Sequence, residues 1–501
     1  MVETHARRAA ANGQAKFHLY EDIAARLARM IENGAYRHGS RLPSIRELSR
    51  QMRVSINTVM TAYGLLENMQ LIEARPQSGY FVSSPLAEPD SALRANGRSL
   101  EAKPVEVGSR ALQIIRTLSD PALVPLGASA PNSALLPIVR LNRMLAQQVR
   151  SHPLESGSYA PAAGHMRLRA EIAKRLVASG CTLSPEEVVI TSGCVEAVSL
   201  ALQAVCQPGQ TVAVASPVYW TFLNSIQWLG LNLLEIPACP RTGISLDVLA
   251  YALRRKAIHA CIIISNFNNP LGSVTPEENK HKLAELFAKH EVPLIEDDVY
   301  GDLSFAPERP PSVKAFDKHG WVVSCSSFSK TLAPGYRVGW MVPGRFRSKV
   351  EALKRLFNIA TASPTQLAVA EFLANGGYGR HLRSLRRIYA RQMVQVRDAV
   401  ARSFPQGTRI TRPEGGTVLW VVMPETVDAY RLYDAALEHG IGIAPGPLFT
   451  ISGDFRNCIR LSTAFWSPEV EAAIKTAGEL AAGLNSGHAP AADSVRQRLR
   501  T

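Results

Sequence analysis

The chain has 501 residues, 46% hydrophobic and 20% charged, a balance that excludes a largely disordered polymer and predicts two or more separate cores. No apolar run approaches the roughly 20 residues of a membrane span. The seven scattered cysteines form no CxxC pair, so they fit reduced thiols of a cytoplasmic protein, and neither a disulfide framework nor a metal is expected. The formal charge of +14 is compatible with a polyanionic partner but does not select one.

Residues 1–17 read as a disordered tail, because the Arg7-Arg8 pair is followed by no apolar export segment. A compact segment follows over 18–83. Leu19, Ile23, Leu27 and Ile31 recur every fourth residue and predict an amphipathic helix ending near Gly34. Ser44 with Glu47 three residues later is a capping box that opens a second helix, whose apolar face is Ile45, Leu48 and Met52. Ser55 caps a third helix that buries Val59, Ala62 or Tyr63, and Leu66. Leu71 to Ala74 and Tyr80 to Val82, separated by Arg75 to Gly79, predict a hairpin, so the segment is a winged helix-turn-helix.

In such a unit the third helix enters the major groove of double-stranded DNA. Ser55, Ile56, Asn57, Thr58 and Met60 are the candidates for base contact, with Asn57 suited to bidentate pairing with adenine. Arg46, Arg75, Ser78 and Gly79 would serve the phosphate backbone. A helical interaction module with the same residues merely solvated is the alternative. The run RLPSIRELSRQMRVSINTVMTAYGLLE, followed by ARPQSGYFV, resembles the winged helix-turn-helix of GntR-type bacterial regulators from Tyr20 to Val82. That resemblance implies DNA binding. It departs from the family at Ile56, where an arginine often stands, so no operator sequence carries over.

Pro85, Pro89, Gly97, Pro104, Gly108 and Pro121 mark residues 84–122 as a linker. From 123 to 483, short apolar runs alternate with helical patterns. VVIT runs into Ser192, CIIIS into Asn266, PLIE into Asp297 and VVSC into Ser327, as in a mostly parallel α/β sheet whose ligands collect beyond the carboxyl ends of its strands. Residues 484–501 read as a second disordered tail.

The polar residues at these ends suit pyridoxal 5'-phosphate. That cofactor needs a lysine for a Schiff base, an acid against its ring nitrogen and a cradle for phosphate. Lys330 in SFSK is the lysine and Asp297 in EDDVYG the acid; Asp298 competes, but the Asp-x-x-Tyr spacing favours Asp297. Asn269 and Tyr300 suit the ring oxygen, and Tyr219 the ring face. Ser192, Gly193 and Cys194 open a helix whose amides suit phosphate, with Ser327 and Arg337 completing the cradle. Cys194 has no suitably placed histidine and is read as a backbone contributor rather than a nucleophile.

The ordered set Asn269, Asp297, Lys330 and Arg337, with SKTLAPGYRVGW around the lysine, resembles fold-type I aminotransferases of the aspartate aminotransferase type, from about Leu126 to Leu480. The resemblance implies that Arg460 in IRLSTAF clasps a substrate carboxylate. It also implies that Tyr159 in YAPAAG reaches the phosphate of a partner subunit, which requires a homodimer.

A GntR-like reader joined to an aminotransferase-like body resembles the MocR family of bacterial regulators. The resemblance implies a cytoplasmic dimer that senses pyridoxal phosphate together with an amino acid or amine and passes the result to DNA. An incoming amine would displace Lys330 from the cofactor and alter contacts around Arg460 and the linker. Two alternatives stay open: a working aminotransferase with Lys330 as proton shuttle, and a scaffold that has lost its cofactor.

Overall fold

In the computed structural model, the residues described are 19–32, 35–36, 40–68, 71–75, 78–82, 86, 88–89 and 101–486. The expected tail over 1–17 lies outside them, as do residues 487–501 of the other. The chain divides into two units, Met1–Ala87 and Glu88–Thr501.

Among the described residues of the first unit, helices α1 (Leu19–Glu32), α2 (Ile45–Met52) and α3 (Ile56–Asn68) close on one core. Val59, Ala62, Tyr63 and Leu66 are all fully buried, so the apolar face of α3 takes both Ala62 and Tyr63. Leu19 is 56% exposed: as the first helical residue it projects past the core that Ile23, Leu27 and Ile31 fill. The capping box at Ser44 forms as the sequence requires, with Glu47 N donating to Ser44 Oγ at 3.2 Å, a cap that contributes about 1 kcal/mol. Arg53, left-handed at φ 51°, ends α2 and turns the chain into α3. Tyr63 ties three pieces together. Its hydroxyl donates to Pro43 O at 2.7 Å, and its ring meets that of Tyr80 edge-on at 4.7 Å.

The hairpin is β1 (Ile72–Arg75) against β2 (Gly79–Val82), antiparallel, with Ile72 opposite Val82 and Arg75 opposite Gly79. Arg75 and Gly79 are therefore the last ladder pair rather than part of the turn. The sequence reading also missed a third edge: Leu42 N donates to Tyr80 O at 2.8 Å and Val82 N to Ser40 O at 3.0 Å, laying residues 40–42 along the wing.

In the second unit a nine-stranded sheet forms from β3 (Lys103–Pro104), β4 (Val189–Thr191), β5 (Thr211–Ser216), β6 (Asn232–Cys239), β7 (Gly243–Ile244), β8 (Ala260–Ile263), β9 (Leu294–Asp297), β10 (Val322–Ser327) and β11 (Gly339–Val342). The order is β3-β6-β5-β8-β9-β10-β11-β4, with β7 paired to β6. The central run β6-β5-β8-β9-β10 is parallel, and β11 is antiparallel to both neighbours. Strands β5, β8, β9 and β10 are buried along their whole length, which is why each carries an apolar run, with polar residues gathered toward the carboxyl end in β9 and β10, rather than a strict alternation. A second, antiparallel sheet joins β12 (Arg409–Ile410), β13 (Val418–Val422), β14 (Ala444–Pro445) and β15 (Cys458–Ser462) in the order β12-β13-β15-β14.

The expected linker over 84–122 needs correction in its second half. Lys103–Pro104 pairs with Leu233 and Asn232, and a helix spans Ser109–Thr117 with Ile114 fully buried. Proline and glycine break any long period there, but short pieces still find edges of the body to satisfy their backbone groups. The C-terminal helix likewise runs to Asn485, past the expected limit at 483. Among the described residues, no helix is long and apolar enough to cross a membrane, no group of side chains could hold a metal, and the seven thiols are unpaired.

Candidate functional site

Register brings the site together. Thr191 pairs with Gly339, Gly339 with Ser327, and Cys325 with Asp297, so the carboxyl ends of β4, β10 and β9 open on the same edge. Beyond β10 the chain makes a single 3-10 turn, Phe328–Lys330, capped by Ser327, whose Oγ accepts from Ser329 N at 3.3 Å. Lys330 Nζ then donates to Ser129 O at 2.6 Å and stands 5.6 Å from the centre of the Tyr300 ring. Burial lowers the pKa of this ammonium, the Tyr219 and Asp297 side chains oppose the shift, and Arg460 adds to it. A lysine so placed is closer to a free, nucleophilic amine than one in water.

Asp297 is 5% exposed, and burial pushes its carboxyl up to about 6 against the Val299 amide, the Cys194 thiol and Lys330, which act in the other direction. The Cys194 thiol is itself raised well above its ordinary value by burial, which opposes the thiolate a nucleophile would need. Asp298 points elsewhere, to Arg309 and Asn266, which separates the two adjacent acids. Tyr300, raised to about 12 by burial, keeps its hydroxyl proton, and its oxygen accepts from Asn269 Nδ2 at 3.5 Å. Tyr219 precedes the helix Trp220–Trp228 and lies half-buried with its ring centre 5.3 Å from that of Trp220.

Arg460 lies on β15 and is completely buried, which draws its guanidinium down to about 10. Nη1 donates to Asn269 Oδ1 at 3.1 Å, Nη2 donates to Gly127 O, and the Trp220 and Phe449 rings stand 4.6 and 5.3 Å away. Its Nε has no partner. The sequence reading missed Gly127 and Ser129, whose carbonyls hold Arg460 and Lys330. A Cβ at Gly127 would come within 2.6 to 2.7 Å of the Ile443 and Ala444 backbone, so only glycine fits there.

The helix Cys194–Val205 starts beyond Gly193, at φ 92°. A Cβ on Gly193 would strike the Arg337 guanidinium, whose Nη2 donates to Ser192 O at 2.8 Å. Ser192 is less available than the sequence suggests. Its amide donates to the Glu196 carboxylate, which Lys354 approaches at 3.5 Å. Glu196, in the first turn of the helix, thus reaches back to the amide two residues before the helix starts, and the sequence reading did not single it out. Tyr159 is not brought into the cluster and stands 82% exposed.

On the first unit, α3 turns Ile56 (47% exposed), Asn57 and Met60 outward. Ser55 Oγ accepts from Thr58 N at 3.0 Å and lies 2.7 Å from Thr58 Oγ1. Both hydroxyls are therefore engaged in the cap, and Thr58 is half-buried. Arg46 and Ser78 are exposed; the Arg75 side chain lies outside what the structure describes. Gly79, at φ 99°, leaves room for the guanidinium of Arg41, which would be 3.3 Å from a Cβ there. Arg41 is a cation beside the wing that the sequence reading passed over.

Residues 135–475 match aminotransferase class I and II, and residues 19–82 match bacterial regulatory proteins of the gntR family. The chain is 39% identical over 463 residues to the HTH-type transcriptional regulator YjiR of Escherichia coli, covering 92% of this chain and 98% of that protein. Against the HTH-type transcriptional regulator YisV of Bacillus subtilis the figures are 28% over 486 residues, 93% and 96%. LysN, an alpha-aminoadipate aminotransferase of Thermus thermophilus solved with N-(5'-phosphopyridoxyl)-L-leucine, matches with a TM-score of 0.70 and 27% identity, over 76% of this chain and 98% of LysN. The chain belongs to aminotransferase class I and II over its large unit and to the gntR family of bacterial regulatory proteins over its small one, the combination of the MocR-type HTH regulators.

Proposed function

We propose that this protein is a cytoplasmic, DNA-binding transcriptional regulator whose large unit binds pyridoxal 5'-phosphate through Lys330 and senses it together with an amino acid or amine. The observation that carries this reading is the meeting of Lys330, Asp297, Asn269 and Tyr300, at or beyond strand ends of the main sheet, with Arg460 of the second sheet, whose Nε is unpartnered, while Asp297 is held as a buried acid. These features fit the cofactor. A buried carboxylate favours a cationic ring nitrogen, and Gly193, where any Cβ would strike the Arg337 guanidinium, lets that cation stand at the helix start where a phosphate would need it.

When bound, pyridoxal phosphate supplies a carbonyl carbon that captures amines and a ring that withdraws electrons from them. The chain's own residues do the rest. Lys330 would offer an amine whose pKa burial lowers; Asp297 would stand behind the ring nitrogen, Asn269 and Tyr300 would donate to the ring oxygen, and Tyr219 would cover the ring face. Gly193, Cys194, Ser327 and Arg337 receive phosphate, with Ser192 contributing its hydroxyl only. Arg460 takes a carboxylate, so α-amino acids rank above simple amines as effectors. The exposure of Tyr159 suits a tyrosine that reaches into a second copy. On the first unit, Asn57, Ile56 and Met60 would read bases, and Arg41, Arg46, Ser78 and Gly79 would follow phosphates.

Two measurements test this. Borohydride treatment of yellow protein should fix the cofactor on Lys330, seen as a mass increase on that peptide, and Lys330→Ala should be colourless. Mobility of the DNA upstream of its own gene should change when pyridoxal phosphate is added to wild type and not to Lys330→Ala. A colourless wild type overturns the sensor; steady amino transfer to a 2-oxo acid with no DNA binding would make the protein an enzyme instead.

A further inference from the structure

Glu88 is the first residue of the large unit, six positions after β2 ends at Val82. Its side chain is only 15% exposed, because two arginines from different sheets close on it. Arg241, in the turn between β6 and β7 of the main sheet, donates from Nε to Glu88 Oε2 at 2.7 Å, with Nη2 2.5 Å from the same oxygen. Arg412, in the loop between β12 and β13 of the small sheet, brings Nε to 3.6 Å from Oε1. One carboxylate, at the root of the segment leading from the DNA reader, is thus held from both halves of the large unit.

The Arg412 loop also touches the candidate cofactor site. Thr411 N donates to Trp420 O at 3.0 Å, and Trp420 is the cross-strand partner of Arg460. Pro413 occupies the space a Cβ on Gly272 would need, three residues after Asn269. Glu414 O accepts from Phe305 N at 2.9 Å, and Gly416 N donates to Leu303 O at 3.0 Å, on the turn that carries Tyr300.

We infer that Glu88 is the coupling residue of the sensor: its carboxylate, shared between Arg241 and Arg412, reports the position of the small sheet relative to the main sheet to the segment that leads to the DNA-binding unit. This rests on the proposed function, since it names how occupancy of the Lys330 site reaches DNA. A ligand shifts such a switch only if it binds one arrangement better than the other. Arg460 and Asn269, which would meet the ligand, lie within one strand or one loop of Arg412. A carboxylate bridging two bodies is satisfied in one relative placement, and a displacement of about 1–2 Å, typical of such shifts, removes one of its partners. The carboxylate is sheltered although Arg241 is not, and with one arginine on each of its oxygens it loses a partner whichever side moves away.

The test uses the full chain. The ratio of DNA affinities with and without pyridoxal phosphate, about 5- to 150-fold for ordinary coupling, should fall to about twofold or less in Glu88→Gln. Arg412→Gln should do the same, and the double variant should go no further. Cofactor absorbance and affinity should stay at wild-type levels. Trypsin cleavage after Arg94 and Arg98 gives a second readout: its rate should respond to pyridoxal phosphate in wild type and not in Glu88→Gln. Arg241→Gln, whose side chain is 63% exposed, keeps the test decisive if the Arg412 variant misfolds. An unchanged ratio in Glu88→Gln with colour intact overturns the inference and leaves the proposed function standing, as do effects of Glu88 and Arg412 that multiply. A wild type whose DNA binding and cleavage both ignore pyridoxal phosphate overturns both.

Discussion

The two units bury opposite things. The small unit closes apolar side chains around Tyr63 and turns Asn57, Ile56, Met60 and Arg46 outward, so what it does lies on its surface and what stabilises it lies beneath. The large unit buries its candidate chemistry. Asp297, Arg460 and the Lys330 ammonium are all displaced from their ordinary titration by desolvation, a cost that the surrounding apolar clusters offset. A substitution on the outward face of the small unit is therefore expected to leave its stability nearly untouched, whereas one in the buried cluster of the large unit is expected to change stability as well.

Four substitutions press on that contrast. The largest effect is expected at Arg460. Arg460→Ala should weaken α-amino acid binding by roughly 100-fold or more, the usual consequence of removing one side of a buried charge pair, while amines without a carboxylate bind as before. Titration of the visible chromophore reads both, and an equal loss for both classes would remove Arg460 from carboxylate recognition.

Asp297 comes next. Its folded-state value of about 6 lies above the ordinary 3.8, so the acid favours the fold when protonated. That contribution is fully present below about pH 4 and is lost as pH rises through about 6. Cofactor-free Asp297→Asn should accordingly be more stable than wild type at pH 8, by up to about 3 kcal/mol, with the gap closing toward pH 4 in urea melts. Its affinity for pyridoxal phosphate should fall at the same time. A gap independent of pH would mean that this carboxyl does not titrate as a buried group.

On the small unit, Asn57→Ala should reduce DNA affinity by about tenfold, within the 1–3 kcal/mol of a bidentate base contact, and relax the preference at one base pair without moving the melting point. A matching loss of stability would contradict the separation of face from core. Ser44→Ala should do the reverse, lowering the stability of the small unit by about 1 kcal/mol while leaving base preference unchanged, measured by chemical denaturation and by competition between operator variants.

Local features were legible. The capping box at Ser44 and Glu47, the buried stripe of α3 and the four apolar runs ending at Ser192, Asn266, Asp297 and Ser327 all depend on neighbours within a few residues, and each forms. The Asp-x-x-Tyr spacing favoured Asp297 over Asp298, and the two carboxylates do separate, Asp298 turning to Arg309 and Asn266. Other features were invisible because they depend on distant chain. Ser129 O meets Lys330 across 201 residues and Gly127 O meets Arg460 across 333. Glu196 takes the Ser192 amide because Lys354 and Asn358 bring it there. The stretch from 101 to 122, rich in helix and strand breakers, reads as a tether and instead adds an edge strand and a helix to the body.

The amino-acid sequence alone determined which side chains are available and at which strand or helix end each stands, because caps, periodicity and apolar runs act over one or two turns of chain. Tertiary structure decided which of them meet: the carbonyls that hold Lys330 and Arg460, the Glu196 carboxylate that takes the Ser192 amide, and the two arginines that seize Glu88. Such contacts follow from strand order and register, which arise only when segments hundreds of residues apart satisfy one another's buried polar groups.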